Sequence, residues 1–144
     1  MRTIALFFAL MAFVSGVAVA QTQSAPTPIS TFLGRWQVVD TSTGRVQIPC
    51  HEGQLFVPTA DGKYVDLTFG EAPDEPGIRY IVLQAQAGRV MMFIDGEDRV
   101  TRLGDPVVWW AVFNSPDEFY WRRTDWPLDG RTPTVWRRCR AGDT

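Results

Sequence analysis

Apolar and polar positions alternate with a period of two along much of this chain, and turn-forming residues interrupt the alternation at short intervals. Turn signals stand at Thr43-Gly44, Asp61-Gly62, Ala87-Gly88, Asp95-Gly96, Gly104-Asp105-Pro106, Asn114-Ser115-Pro116-Asp117 and Asp129-Gly130. Between them lie runs rich in Val, Ile, Phe, Tyr and Trp, residues that suit a pleated, half-buried surface. No segment after residue 30 carries a convincing helical period. The pattern predicts strands over 33–40, 45–49, 54–57, 63–69, 78–86, 89–94, 98–103, 107–113, 118–123 and 134–140, with an interrupted region around Cys50. Evenly spaced strands with hairpin turns make an all-β domain, and the predicted form is a small antiparallel up-and-down β-barrel of about eight to nine strands.

Register assigns the faces. The organising piece is the hairpin within 106–123. With Asn114 opposite Asp117, Phe113 faces Glu118, Val112 faces Phe119, Trp110 faces Trp121 and Val108 faces Arg123. Val108, Trp110, Val112, Phe119 and Trp121 then form an apolar side, and Trp109, Phe113, Glu118, Tyr120 and Arg122 the other. Across Ala87-Gly88, Ala85 meets Val90, Leu83 meets Met92 and Ile81 meets Ile94, and that side is predicted to point inward. Val65, Leu67 and Phe69 point in, while Tyr64, Asp66 and Thr68 point out. The expected shared interior is Ile81, Leu83, Met92, Ile94, Trp110 and Trp121. The same parity carried past Asp95-Gly96 turns Arg99, Thr101 and Leu103 inward; a bulge at Gly96 would instead leave Arg99 outside and Val100 inside.

The first residues alter this picture of a single domain. Arg2, an apolar run over 4–14 and the small-x-small site Ala18-Val19-Ala20 form the pattern of a secretory signal peptide over 1–20, which implies export to a periplasmic or secreted location. Residues 21–30, polar and Pro-bearing, are expected to be a flexible leader, and residues 31–144 the barrel domain. In an oxidising compartment Cys50 and Cys139 are expected to form one disulfide. The net charge is −2 with no basic block, which argues against a nucleic-acid partner, and no membrane span is expected after signal cleavage.

Candidate chemistry is sparse. Arg99 as an inward guanidinium at an apolar wall would pair with a ligand carboxylate or phosphate. Asp95, Glu97 and Asp98 lack the alternating acidic ligands of a calcium loop, and His51-Glu52 has no nucleophile placed beside it by any motif. One His and two distant Cys do not make metal-ligand spacing. No catalytic residue, metal or cofactor is expected. Trp109, Phe113, Tyr120 and Met91 are predicted to face outward, as a patch that would suit a partner.

Gly34-Arg35-Trp36 opens the first strand after a short leader and is followed by an antiparallel meander, a layout that resembles the lipocalins and their calycin relatives. The resemblance implies that Trp36 packs at the closed base of a barrel with Gly34 allowing close approach. It also implies a basic residue of the last strand lying over the ring, here Arg138, or Arg137 if the parity shifts. A cysteine near the C-terminus joined to an earlier loop is similar to the lipocalin arrangement. In length the chain looks closer to compact barrels, avidin-like or bacterial metalloprotease inhibitors of lipocalin-like fold. The expected function is an exported, non-enzymatic binding protein that holds a small hydrophobic or amphipathic ligand lined by Leu83, Met92, Arg99, Trp110 and Trp121. The alternative is a protein-binding module, such as a protease inhibitor, that uses the leader and the outward aromatics.

Overall fold

The computed structural model describes residues 24–70 and 77–143. The proposed signal peptide, the first three leader residues and most of the acidic loop after Gly70 lie outside the described residues. A 3-10 turn (Ile29–Phe32) leads into nine strands: β1 (Gly34–Asp40), β2 (Val46–Ile48), β3 (Gln54–Pro58), β4 (Tyr64–Thr68), β5 (Ile78–Gln86), β6 (Arg89–Ile94), β7 (Trp109–Ser115), β8 (Glu118–Arg123) and β9 (Thr134–Arg138). Every pairing is antiparallel. β1 pairs with β3 through Gly34–Trp36 and with β9 through Trp36–Asp40, which closes β1, β3, β4, β5, β6, β7, β8 and β9 into a barrel. β2 is an extra strand beside the far end of β1. Pro49 and a 3-10 turn over Cys50–Glu52 separate it from β3, so the interrupted region around Cys50 is a physical break. Cys50 and Cys139 form the disulfide, with Cα atoms 5.6 Å apart.

The segment 98–103 is not a strand. It makes one isolated bridge, Val100 to Pro106, within a loop closed by Thr101 N–H donating to Asp105 O. Its alternation offers no apolar face: Asp98, Arg99, Thr101 and Arg102 leave only Val100 and Leu103, which are 59% and 89% exposed.

Two bulges correct the predicted faces. β5 bulges at Leu83, which has no partner in β6: Val82 pairs with Met92, whereas Gln84 pairs with Met91. Ala85, Val90, Met92 and Ile94 keep their inward assignment, but Tyr80 and Val82 replace Ile81 and Leu83 in the core. In β7 the irregularity falls at Asn114, so Phe113 pairs with Phe119 and Ala111 with Trp121. Phe119 and Trp121 point inward as expected. Their partners are Phe113 and Ala111, Trp109 lies on the same side opposite Arg123, and Trp110 and Val112 go to the outer face. Arg89 lies over the Trp110 ring there, 4.5 Å from its centroid. An extra residue in one strand reverses every side chain beyond it.

The barrel has unlike ends. One end carries the short connections Thr59–Lys63, Ala87-Gly88 and Pro116-Asp117, together with the turn Ile29–Phe32. Here Phe32, Trp36, Phe56 and Phe119 are fully buried and meet edge to face or stacked, with Trp36 and Phe119 centroids 4.9 Å apart. The Trp36 Nε1–H donates to Phe32 O at 2.9 Å. Arg138 lies 4.3 Å from the Trp36 ring centroid and donates to Thr31 O, Leu33 O, Pro116 O and the Asp117 carboxylate. Gly34 has φ +124°, and a Cβ there would stand 3.1 Å from Arg138 Nη1, so both conformation and space select glycine. Arg137 turns outward to Glu118. Of the leader, Thr27 is tied to this end: its N–H donates to Gln86 O, and its hydroxyl accepts from Gly88 N–H.

Candidate functional site: a cavity at the open end

The long connections, 69–77, 95–108 and 124–133, all emerge at the other end, where β4, β6 and β8 finish and β5, β7 and β9 begin. The packing is incomplete there and leaves a cavity of about 230 Å³. Aromatic rings form much of its wall: Phe69, Tyr80, Trp109, Trp121 and Trp136. Leu67, Ile78 and Ile94 complete the apolar part, with Gln54 and Thr132 as the polar edge. Tyr80 stacks on Trp121 with centroids 5.0 Å apart and an interplanar angle of 15°. Trp109 and Trp136 each meet Trp121 edge-on, at 6.4 Å and 6.2 Å. Trp109, Trp121 and Trp136 stand on the inward side of the neighbouring strands β7, β8 and β9, and Tyr80 reaches Trp121 from β5.

The polar groups are few and differently placed. Trp136 Nε1–H donates to Gln54 Oε1 at 2.7 Å. Thr132 Oγ1 lies within hydrogen-bond distance of Trp121 O and Thr134 O, at 3.1 and 3.2 Å. The Tyr80 phenol is buried and its pKa is pushed up by the loss of hydration, so it stays a neutral O–H donor across the ordinary pH range. Trp109 Nε1 is the exception: it is buried and has no hydrogen-bond partner among the described residues. Buried indole N–H groups ordinarily find an acceptor.

Two ion pairs stand where the chain leaves β6 and β8. Glu97, its side chain only 4% exposed, is gripped by Arg99, whose Nε donates to Oε1 at 2.7 Å and whose Nη2 donates to Oε2. This guanidinium holds the Glu97 pKa below the usual carboxylate range. Arg99 also stands 5.8 Å from the Trp109 ring. On the neighbouring loop Arg123 forks onto Asp125 at 2.9 and 2.8 Å, and Trp126 folds over Trp109 with centroids 5.9 Å apart.

Of the residues expected to line a ligand, Trp121 lines this cavity and Met92 is buried in the core cluster. Leu83, Trp110 and Arg99 do not line it. Leu83 is 51% exposed at its bulge and borders a separate outer groove of about 720 Å³ with Phe93, Leu103 and Val108. Arg99 is exposed because its loop never joins the sheet, and its charge is taken by Glu97. The expected outward patch is divided: Trp109 and Phe113 pack against the core, while Met91 and Tyr120 remain on the outer side with Trp110. Tyr80, Trp109, Trp136 and Gln54 were not identified as lining residues. For Tyr80 the missing information was the bulge at Leu83, which shifts the parity of the strand before it. For Trp109 the signal was Ala111, a residue small enough to lie opposite Trp121 inside a crowded core.

His51 Nε2 and Glu52 Oε1 lie 3.3 Å apart on an exposed turn. No group of three or more His, Cys, Asp or Glu could hold a metal ion among the described residues. No helix there is long and apolar enough to cross a membrane. Comparison with protein-family models, curated proteins and solved structures finds no match. The closed antiparallel barrel is calycin-like in architecture, and the functional reading rests on its geometry alone.

Proposed function

We propose that this protein is an exported, non-enzymatic binding protein that takes a small, largely apolar ligand into the open end of its barrel. The observation that carries the reading is the cavity of about 230 Å³ walled by five aromatic side chains beside few polar groups. Concave, mostly apolar sites with a few directed polar groups are where small molecules bind, and drug-sized ligands use pockets of roughly 300–1,000 Å³. A cavity below that range favours compact single- or double-ring molecules over sterols or haem. The Cys50–Cys139 disulfide and the signal-like N-terminus support export. The alternative, a protein-binding module that inserts its leader into a partner, is less favoured because Thr27 is hydrogen-bonded to the turn after β5.

Titration of the full mature chain with small aromatic and alicyclic compounds, followed by tryptophan fluorescence and calorimetry, tests the reading. Saturable quenching is expected, since Trp109, Trp121 and Trp136 line the cavity. Ile78→Phe, which fills the space, should abolish it while leaving the far-UV spectrum unchanged. Undiminished binding by a folded Ile78→Phe variant, or no binding across the set, would exclude the cavity as the site.

A further inference from the structure

We propose that the outer face of β6, β7, β8 and β9 is a docking surface for an anionic polysaccharide, a chain of uronate-bearing sugars whose carboxylates its arginines hold. The surface lies on the outside of the barrel wall, and the inference does not depend on the cavity being a ligand site.

The first support is a segregation of charge. The four strands carry one acidic residue among them, Glu118. Arg89, Arg122 and Arg137 stand on their outer side. Arg131 reaches back from the loop before β9 and lies 5.6 Å from the Tyr120 ring centroid. Four guanidiniums against one carboxylate leave this face at +3. The whole chain is at −2, so the remainder of the sequence is at −5.

The second support is that most of this charge is held in place and not neutralised. Glu118 is taken by Arg137 at 2.7 Å and by the Asn114 amide at 2.8 Å. Arg89, Arg122 and Arg131 form no ion pair among the described residues. Arg89 lies over the Trp110 ring and donates to Gln86 Oε1 at 2.7 Å, while Arg122 donates to Trp126 O and Pro127 O. These partners are uncharged: they orient the guanidiniums and leave the positive charge to an outside anion. By contrast, Arg45 and Arg102 border surface grooves shared with Asp40 and with Asp105.

The shape of the face decides the class of partner. Each of the four strands is paired on both sides, so none offers free backbone for an acidic peptide to extend the sheet. Half-buried Met91, Trp110, Val112 and Tyr120 lie between the arginines and make an apolar floor for the C–H faces of sugar rings. Arg89 and Tyr120 share a rung with Val112 between them, which sets them about 10 Å apart, and Arg122 stands about 7 Å further along β8. Carboxylates repeated along one sugar chain can engage several of these cations together, whereas a small anion engages one.

Titration of the full mature chain against immobilised polygalacturonate tests the proposal. Saturable binding is expected despite the acidic net charge, and it should weaken steeply between about 0.05 and 0.5 M salt. Arg89→Gln, Arg122→Gln and Arg131→Gln should each weaken it about two- to fivefold, the range for one exposed ion pair, and the triple variant about tenfold or more. Arg45→Gln removes the same charge elsewhere and should leave binding unchanged. A readout on the parent protein is the Trp110 indole proton resonance, which should shift with polygalacturonate and not with neutral dextran, while that of Trp36 stays in place. Equal losses in Arg45→Gln and Arg89→Gln would reduce the effect to general charge and overturn the proposal. So would absence of binding, tighter binding to polyglutamate, or binding to phosphatidylglycerol vesicles in place of the polysaccharide. Ile78→Phe, which fills the cavity, should bind polygalacturonate as the parent does, so this proposal and the proposed function fail separately.

Discussion

The two ends of this barrel are built from the same kinds of residue and satisfied to different degrees. At the closed end the Trp36 N–H has its acceptor, Phe32 O, and Arg138 closes over the ring with its donors spent on carbonyl oxygens and Asp117. At the open end the Trp109 N–H has none among the described residues, and its ring lines a cavity and meets the half-buried Trp126. Connection length follows the same division. Tight turns leave one end little freedom, whereas long loops carry charges and aromatics over the other. The two tryptophans thus differ in whether the fold itself supplies the acceptor.

The largest difference should appear on truncation. Phe119 is fully buried and meets six aromatic rings, Phe32, Trp36, Phe56, Phe113, Trp121 and Trp136, at 4.9 to 5.8 Å. Phe119→Ala should cost about 3–5 kcal/mol in denaturant unfolding. Trp126→Ala, at the half-exposed rim, should cost about 1 kcal/mol or less. Comparable losses at both positions would mean that the open end is as firmly packed as the base.

A sharper version uses one substitution at both ends. Trp36→Phe removes a donor and strands Phe32 O in the core, and should cost about 1–3 kcal/mol. Trp109→Phe removes a donor that has no acceptor, so it should change stability by less than about 1 kcal/mol in the free protein. Chemical denaturation of the two variants measures the contrast directly. A Trp109→Phe loss as large as that of Trp36→Phe would show that the indole N–H is already satisfied.

The same division explains what was legible in the sequence. β4 alternates cleanly and has no bulge, so Val65 and Leu67 were correctly read as buried. The all-β class, the disulfide and most strand positions followed from turn residues and composition, which act locally. Side-chain facing in β5 and β7 did not, because parity depends on a count of residues between turns and on where one extra residue is accommodated. Leu83 and Asn114 each absorb such a residue, and both shifts move aromatic rings: Tyr80 in, Trp110 out, Trp109 in. Tyr80 and Trp109, two of the ten residues that line the cavity, therefore depended on information that only the paired strands contain. Arg99 failed differently. Its segment alternates like a strand but has too little apolar surface to bury, and a neighbouring carboxylate was the nearer partner.

The smallest expected effect concerns the rim. Asp40 ends β1 beside the start of β9, and its carboxylate accepts from the Ser42 hydroxyl and from the Ser42 and Thr43 amides at 2.6 to 2.9 Å. These bonds, led by the Ser42 hydroxyl, lower its pKa from 3.8 to about 2. A folded-state pKa below the unfolded value means that the charged form favours folding. The contribution is fully present above the unfolded value and is lost as pH falls toward about 2. Asp40→Asn keeps an acceptor oxygen for the turn but removes the charge. The variant should therefore melt below the parent at neutral pH by a small margin, and the two melting temperatures should converge as both are acidified. Asp66, Glu97, Glu118 and Asp125 are likewise lowered by arginine partners, so both proteins should still lose stability in acid. Parallel melting curves down to the lowest pH would mean that the loop after β1 draws nothing from this carboxylate. The rim on that side would then be held by backbone contacts such as Thr41 N–H to Pro133 O.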